Sequence, residues 1–207
     1  MNKKTRYIAI AGIMGSGKST AARILAEKLN FYLIKEKPSK NPFLKPFYKN
    51  MPRWALHVQL SYLMNKIKEL ERERHNFATR NVIEDAPIDV SLEVYAKTQV
   101  KFGNMTKGEL EVYRQIFTSY KHLIPQPDLL IVMDTPIDLI IRQIEMRGRS
   151  YENGVDPKYL KTLISFQNQW LQSYPDNKKL IVKRNYINLR KTLDKNIFAD
   201  TVMKKLL

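Results

Sequence analysis

An α/β domain built on a five-stranded parallel sheet with helices on both faces is what this sequence predicts, on three observations. Short apolar runs alternate with stretches of helical periodicity, the order expected of strands joined by crossover helices. One of these runs, Leu129-Leu130-Ile131-Val132-Met133, is continuously apolar, as in a central parallel strand buried on both faces. Near the start, Gly12-Ile13-Met14-Gly15-Ser16-Gly17-Lys18-Ser19 fits the phosphate-loop pattern G-x-x-x-x-G-K-[ST]. With 207 residues, no internal repeat and no linker-like segment, residues 1–207 are expected to form one domain with right-handed crossovers.

Tyr7-Ile8-Ala9-Ile10-Ala11 reads as the first strand, and Ala21 to Leu29, with Ile24, Leu25 and Leu29 on one stripe, as the helix after it. The loop between them supplies the donor-nucleotide set Gly12, Gly15, Ser16, Gly17, Lys18, Ser19 and Thr20. Its glycines let backbone N–H groups turn inward around a phosphate, where a Cβ would obstruct them. Lys18 can reach the β- and γ-phosphates, Ser19 can hold Mg²⁺, and the helix start adds its positive dipole end. A plain strand-to-helix turn does not require the Gly-Lys-Ser ending, so a nucleoside triphosphate site is predicted.

Phe31-Tyr32-Leu33-Ile34 is the second strand, running into Lys35-Glu36. Prolines 38, 42 and 46 are expected to exclude a helix from the segment that follows, whose aromatic rings form either a substrate wall or a hydrophobic anchor. Pro52 starts a long helix to about Ala78 with a seam of Leu56, Leu60, Leu63, Ile67 and Leu70. A different stripe carries Ala55, Gln59, Tyr62 and Lys66. Asn81-Val82-Ile83-Glu84-Asp85 is a third strand ending in two acids, followed by a helical pattern through Tyr95. Thr106 and Glu109 form a capping box for a helix with Leu110, Tyr113, Phe117, Tyr120 and Ile124 on its apolar face.

After the fourth strand, Asp134-Thr135-Pro136 is expected to cap a helix through Arg147, with Pro136 in its first turn. The charged, glycine-flanked segment 147–154 is the predicted mobile lid. Asp156-Pro157 opens a helix with Leu160, Leu163, Ile164, Trp170 and Leu171 as its seam, Leu180-Ile181-Val182 is the fifth strand, and a helix ends the chain.

Composition narrows the setting. There is no cysteine, so a reducing compartment suffices. Residues Met1 to Arg6 do not form a signal peptide, and no apolar run approaches a membrane span. A soluble, cytoplasmic protein is expected. The formal charge of +16 favours anionic partners. Its denser patches, Lys35–Lys49 and Lys178–Lys195, are either a solvated lysine-rich surface or a functional polyanion surface. The long apolar helices 52–78 and 106–124 could pair between two copies of the chain as a homodimer.

Acids at the ends of strands two and three fall on the same sheet edge as the phosphate loop. Phosphoryl transfer needs Mg²⁺, a positioned acceptor and cations on the transferred group. Glu36 could take the acceptor's hydroxyl proton, Asp85 or Glu84 could hold Mg²⁺, and Arg147 and Arg149 could close on the phosphates.

From these segments the sequence resembles the deoxynucleoside kinases. Glu36 followed by Pro38 and Asn41-Pro42-Phe43-Leu44 looks like the segment with that family's general base. Tyr48-Lys49-Asn50-Met51-Pro52-Arg53-Trp54, with Gln59, is similar to its nucleoside-binding segment, and Arg147-Gly148-Arg149 with Glu152 to its lid. The resemblance implies a P-loop kinase fold and transfer of the γ-phosphoryl of ATP to the 5′-hydroxyl of a deoxynucleoside. It implies that Gln59 bonds the base, that Tyr95 and Trp54 pack around the nucleoside, and that Tyr48 and Glu152 hold the sugar 3′-hydroxyl. Three positions depart from the family pattern. Ala86 stands where an arginine is usual, Ser91 and Lys66 replace an aspartate and an arginine near the base, and Gln143 replaces an arginine against the donor adenine. Two other readings compete: a nucleoside monophosphate kinase resembling thymidylate kinase, which would want an arginine at Ala86, and a nucleic-acid-associated NTPase, for which the charge speaks but no RNA-binding signature does.

Overall fold

In the computed structural model, residues 5–152 and 154–206 are described, Ser39 by its backbone. Residues 1–4 of the charged leading stretch and Asn153 of the predicted lid lie outside the described residues. Five strands form one parallel sheet: β1 Tyr7–Ala11, β2 Tyr32–Ile34, β3 Val82–Asp85, β4 Leu129–Asp134 and β5 Lys179–Lys183. Their spatial order is β2-β3-β1-β4-β5. Strand alternation sorts the core into two layers. Tyr7, Ala9, Ala11, Val82, Leu130 and Val132 face α6 (Ile137–Arg147) and α7 (Pro157–Gln172), which contribute Ile140, Ile144, Leu160 and Leu163. Ile8, Ile10, Ile83, Ile131 and Met133 face α1 (Lys18–Leu29) and α8 (Thr192–Leu206), which contribute Leu25, Phe198 and Val202. Both faces are therefore dry, which is why these strands read as continuous apolar runs.

Three elements differ from expectation. The proline-rich segment is not free of helix: a 3₁₀ turn spans Pro38–Lys40 and α2 spans Leu44–Lys49. Pro46 is the third residue of α2, where a backbone N–H would have no intrahelical acceptor to lose. Pro136 is the N-cap of α6 rather than part of its first turn, and Asp134 is the last residue of β4. Thr135 caps nothing; its hydroxyl donates to the Ser16 carbonyl at 2.9 Å and ties β4 to the phosphate loop. The helical pattern through Tyr95 is a π-helical stretch, Ser91–Ala96, continuing into α4, Lys97–Lys101.

Helix α3 spans Met51–Thr79, with the Asn50 side chain accepting from the Arg53 N–H at 3.1 Å. Leu63, Ile67 and Leu70 are buried as predicted, but further up the helix the buried residues are Ala55, Val58 and Gln59, with Leu56 and Leu60 only half-buried. The shift has a cause: α2 packs on the first turns of α3, placing Leu44 and Phe47 against Ala55 and Val58. Helix α5, Lys107–Tyr120, opens with the predicted capping box and packs Tyr113 and Phe117 on Leu63, Ile67 and Leu70. The apolar seams of α3 and α5 thus close on each other within the chain.

A buried ionic cluster fastens α3 to the sheet. Glu84, in the middle of β3 and 1% exposed, accepts from the Tyr7 hydroxyl and pairs with Lys66 Nζ at 2.7 Å. Lys66 also reaches Glu69 at 3.1 Å. Burial opposes the lysine's charge, but Glu84 and Glu69 more than offset it and hold its pKa well above the ordinary value. Removing one partner of such a pair leaves an uncompensated buried charge, which costs about 3–5 kcal/mol. Lys66→Met should lower unfolding free energy by that order in urea titration, and Lys66→Met/Glu84→Gln should recover more than half of the loss.

At the end of β3, Ala86 sits at φ 62, in the left-handed region. A Cβ there costs roughly 1–2 kcal/mol, against about 0.4–1 kcal/mol that alanine gains over glycine through the unfolded chain. The strain is the larger quantity. Ala86→Gly should therefore raise the melting temperature by a degree or more.

Candidate active site

The phosphate loop carries β1 directly into α1, which begins at Lys18, three residues earlier than the predicted helix. Gly17 is its N-cap at φ 90, and a Cβ on Gly12 would lie 2.3 Å from Ser16 Oγ, so both positions are closed to larger residues. Ser16 Oγ is buried with no hydrogen-bond partner among the described residues. Because β3 lies between β1 and β2, the carboxyl edge brings Glu36, just beyond β2, and Asp85, the last residue of β3, to the same side as Lys18 and Ser19.

Glu84 and Asp85 separate by strand alternation. Glu84 points to the α3 side and is consumed by Lys66 and Tyr7. Asp85 points to the α1 side, where Oδ1 is buried with no hydrogen-bond partner among the described residues. Burial raises its pKa, and the nearby Lys18 ammonium works against that rise. Of the two acids considered for Mg²⁺, Asp85 is thus the one with a carboxylate oxygen to offer, beside the exposed Ser19.

Two cavities meet at this edge. One, of about 320 Å³, runs between α2, α3 and the π-helical stretch and is lined by Tyr48, Gln59, Tyr62, Tyr95 and Glu152 among others. The second is a cleft over the phosphate loop lined by Lys18, Ser19 and Asp85. Glu36, Lys18, Arg147 and Arg149 border both. Lys18 Nζ lies 3.8 Å from Glu36 Oε2.

Gln59 is 4% exposed, and its amide has no hydrogen-bond partner among the described residues. Burial, then the Glu36 carboxylate, pushes the Tyr62 and Tyr95 hydroxyls up, so both stay protonated and can donate into the cavity. Burial does the same for Tyr48, whose hydroxyl lies 3.7 Å from the Met14 sulfur. Over the mouth, the turn Ser150–Glu152 folds Tyr151 onto Tyr48, ring centroids 5.6 Å apart. Glu152 is 4% exposed and pairs with both Arg147 and Arg149, the latter at 3.2 Å. Arg147 to Glu152 therefore borders the cavity as a paired unit.

One predicted contact is not made. Trp54 stacks on Phe43 at 5.8 Å, with the Arg53 guanidinium over its ring, and does not line the cavity. Five residues from Gln59, it lies about 140° away around the helix, on the α2 side. Tyr62, Met14 and Tyr159 line the cavity without having been singled out. The signal for Tyr62 was its place on the Gln59 stripe, whereas Tyr159, bonded through its hydroxyl to Gln99 Nε2 at 2.9 Å, reads from sequence as ordinary core. Ala86 and Ser91 also line the cavity, but the Ser91 hydroxyl donates to the Ile88 carbonyl at 2.6 Å and accepts from Tyr113 at 2.9 Å.

This arrangement has counterparts. The deoxyguanosine kinase of Bacillus subtilis (strain 168) is 29% identical over 159 residues, 77% of this chain and 75% of that protein. The deoxyadenosine/deoxycytidine kinase of the same organism is 29% identical over 173 residues, 83% and 79% of the two chains. The fold matches that of deoxyadenosine kinase from M. mycoides, solved with dCMP and a flexible dCDP, at a TM-score of 0.81 and 23% identity over 97% of this chain and 98% of that one. The family profile described as deoxynucleoside kinase matches residues 8–206. A phosphate loop opening onto an acceptor cavity, within a match of that length, leaves one conclusion: the chain belongs to the deoxynucleoside kinase family and is a phosphotransferase that moves a phosphoryl group from a nucleotide donor to the 5′-hydroxyl of a deoxynucleoside.

Proposed function

We propose that the donor is ATP, held with Mg²⁺ over the phosphate loop, and that Glu36 is the general base acting on a deoxynucleoside bound between α2, α3 and the π-helical stretch. The observation that carries this assignment is the shared border: among the described residues, Glu36, Lys18, Arg147 and Arg149 are the charged groups that line both the phosphate-loop cleft and the cavity lined by Gln59 and the tyrosines. An acceptor hydroxyl placed at that junction faces Glu36 on one side and the γ-phosphate on the other. Glu36 takes the 5′-hydroxyl proton as the oxygen bonds to the γ-phosphorus; the bond from that phosphorus to the β–γ bridging oxygen breaks, and ADP and the 5′-monophosphate leave.

Lys18 neutralises the donor's β- and γ-phosphates. Arg147 and Arg149, from the 147–154 segment acting as a lid, act on the transferred group. Asp85, with its unpartnered buried oxygen, and Ser19 fit Mg²⁺, which keeps several waters and needs only one or two protein ligands beside phosphate. When bound, the ion neutralises charge on the β- and γ-phosphates. Gln59 takes the base edge, Tyr95 its face, and Tyr48 with Glu152 the 3′-hydroxyl. The chain works as one domain in the cytoplasm. If it forms a homodimer, the contact uses the outer faces of α3 and α5, since their seams are already buried. A monophosphate acceptor is disfavoured by Ala86, which gives the acceptor phosphate no cation beside β3.

Glu36→Gln should lower kcat by about 10²–10⁴-fold with little change in deoxynucleoside affinity measured by calorimetry. Near-normal turnover in that variant would remove Glu36 as the base. A panel of deoxynucleosides and monophosphates with ATP and Mg²⁺, scored for product, tests the acceptor class directly.

The sugar contact has its own test. A 3′-deoxynucleoside leaves buried Glu152 short of a donor, at a cost of about 1–3 kcal/mol or more. Its kcat/KM should fall at least tenfold below that of the parent, and equal use of the two would take Glu152 out of the sugar site.

A further inference from the structure

The acceptor cavity has a wall that the contacts proposed so far leave unused. Tyr159, in the first turn of α7, lines the cavity although it is only 5% exposed. Phe102 holds its ring edge-on, with centroids 5.5 Å apart.

A chain of hydrogen bonds settles which way the Tyr159 proton points. The Met51 thioether can only accept, so the group of Asn104 that lies 3.9 Å from its sulfur is the amide Nδ2. The same Nδ2 donates to Gln99 Oε1 at 3.0 Å. Gln99 is fully buried, and with its oxygen spent on Asn104 its Nε2 donates to the Tyr159 oxygen at 2.9 Å. The phenol oxygen is thus an acceptor on its core side, and its own proton points elsewhere. Among the described residues that proton is donated to none. Burial pushes the Tyr159 hydroxyl up, against the pull of the Gln99 hydrogen bond, so the proton stays in place. A buried donor without an acceptor is unfavourable, and a ligand atom that accepts from it relieves the cost.

The neighbours of Tyr159 say where on the ligand that atom lies. Burial first, then the Tyr159 hydroxyl, pushes the Tyr48 hydroxyl up, and for Tyr95 the order is burial, Glu36 and Tyr159. Tyr159 therefore stands close to both. With Tyr48 on the 3′-oxygen and Tyr95 on the face of the base, as proposed above, the stretch of ligand between them offers C1′ and C2′, which accept nothing. It also offers the sugar-side edge of the base, where a purine carries N3 and a pyrimidine O2 as acceptor.

We propose that Tyr159 is a further acceptor-binding residue whose hydroxyl donates to purine N3 or pyrimidine O2, with Gln99 as the positioning residue that turns the proton into the cavity. The proposal rests on the acceptor reading above. Because this edge acceptor is common to the bases, the contact holds a base in place without choosing among them.

Calorimetry on the wild-type chain compares 2′-deoxyadenosine with 3-deaza-2′-deoxyadenosine, in which carbon replaces N3, and deoxycytidine with its analogue lacking the 2-oxygen. Each altered nucleoside should bind about 10-fold more weakly than its parent, because the buried proton loses its acceptor. In Tyr159→Phe the members of each pair should bind within about twofold of one another. That ratio, taken within one variant, is insensitive to a general loss of stability. Where the single variant does not fold, Tyr159→Phe/Gln99→Leu removes both partners, orphans no glutamine amide, and should level the pairs in the same way. Gln99→Leu alone leaves the hydroxyl free to rotate and should narrow the gap while deoxynucleoside binding persists; an unchanged gap would take Gln99 out of the proposal. Equal binding of parent and altered nucleoside by the wild type would overturn the Tyr159 contact, as would a full tenfold gap in a variant carrying Phe. Loss of the preference for a 3′-hydroxyl in Tyr159→Phe, with the base pairs still unequal, would overturn it too, since the proton would then serve the sugar. A wild-type chain that binds none of these nucleosides would bring down the acceptor-cavity reading together with the proposal, whereas equal binding within the pairs removes Tyr159 alone.

Discussion

Lys18 and Glu36 face each other across 3.8 Å at the one place where the two cavities join. The lysine is fixed by the first turn of α1, the glutamate by the end of β2, and neither element touches the other along a strand ladder. Their approach depends on β3 lying between β1 and β2, so that both strand ends open onto one edge. The rest of the site follows from that pairing. On the assignment proposed above, the ammonium serves the donor and the carboxylate the acceptor, so moving the two apart would separate the reactants. The arginines show the same balance, since Arg147 and Arg149 both rest on Glu152. Each cation at the junction thus has a carboxylate to return to when phosphate is absent.

Two adjacent acids illustrate how a parallel sheet divides labour. Glu84 and Asp85 differ by one position and therefore by one face. On the α3 side the carboxylate is enclosed by Lys66 and Tyr7 and becomes structure. On the α1 side it keeps an unpartnered oxygen beside the phosphate loop. Sequence alone left the choice between them open because periodicity tells which residues share a face but not which helix covers it.

The sheet was readable for a simple reason. Its central strands β1 and β4 are buried on both faces, so each is an uninterrupted apolar run, and the phosphate loop marks where the first crossover helix begins. Proline's presence alone does not exclude helix α2, because in a first turn proline costs no hydrogen bond. Trp54 and Gln59 share a motif but not a face of α3, since five residues are about 140° apart on a helix.

The chain departs from the family pattern at residues 66, 86 and 91, which line the cavity. Ala86 offers no polar group, and the Ser91 hydroxyl is spent on Ile88 and Tyr113. Lys66 is charged but already engaged by Glu84, Glu69 and, at 3.4 Å, the Asp85 carbonyl. Among the described residues, the Gln59 amide remains uncommitted, alongside the Tyr62 and Tyr95 hydroxyls. A primary amide can present donor and acceptor in either order by rotating about its last bond, and so can complement more than one base edge. On the assignment proposed above, discrimination between bases then rests on cavity shape and one adaptable group, without the fixed charges that would reject a mismatched edge strongly. The departures at 86 and 91 replace neither Lys18 nor Glu36, and the pairing between those two side chains stands without them.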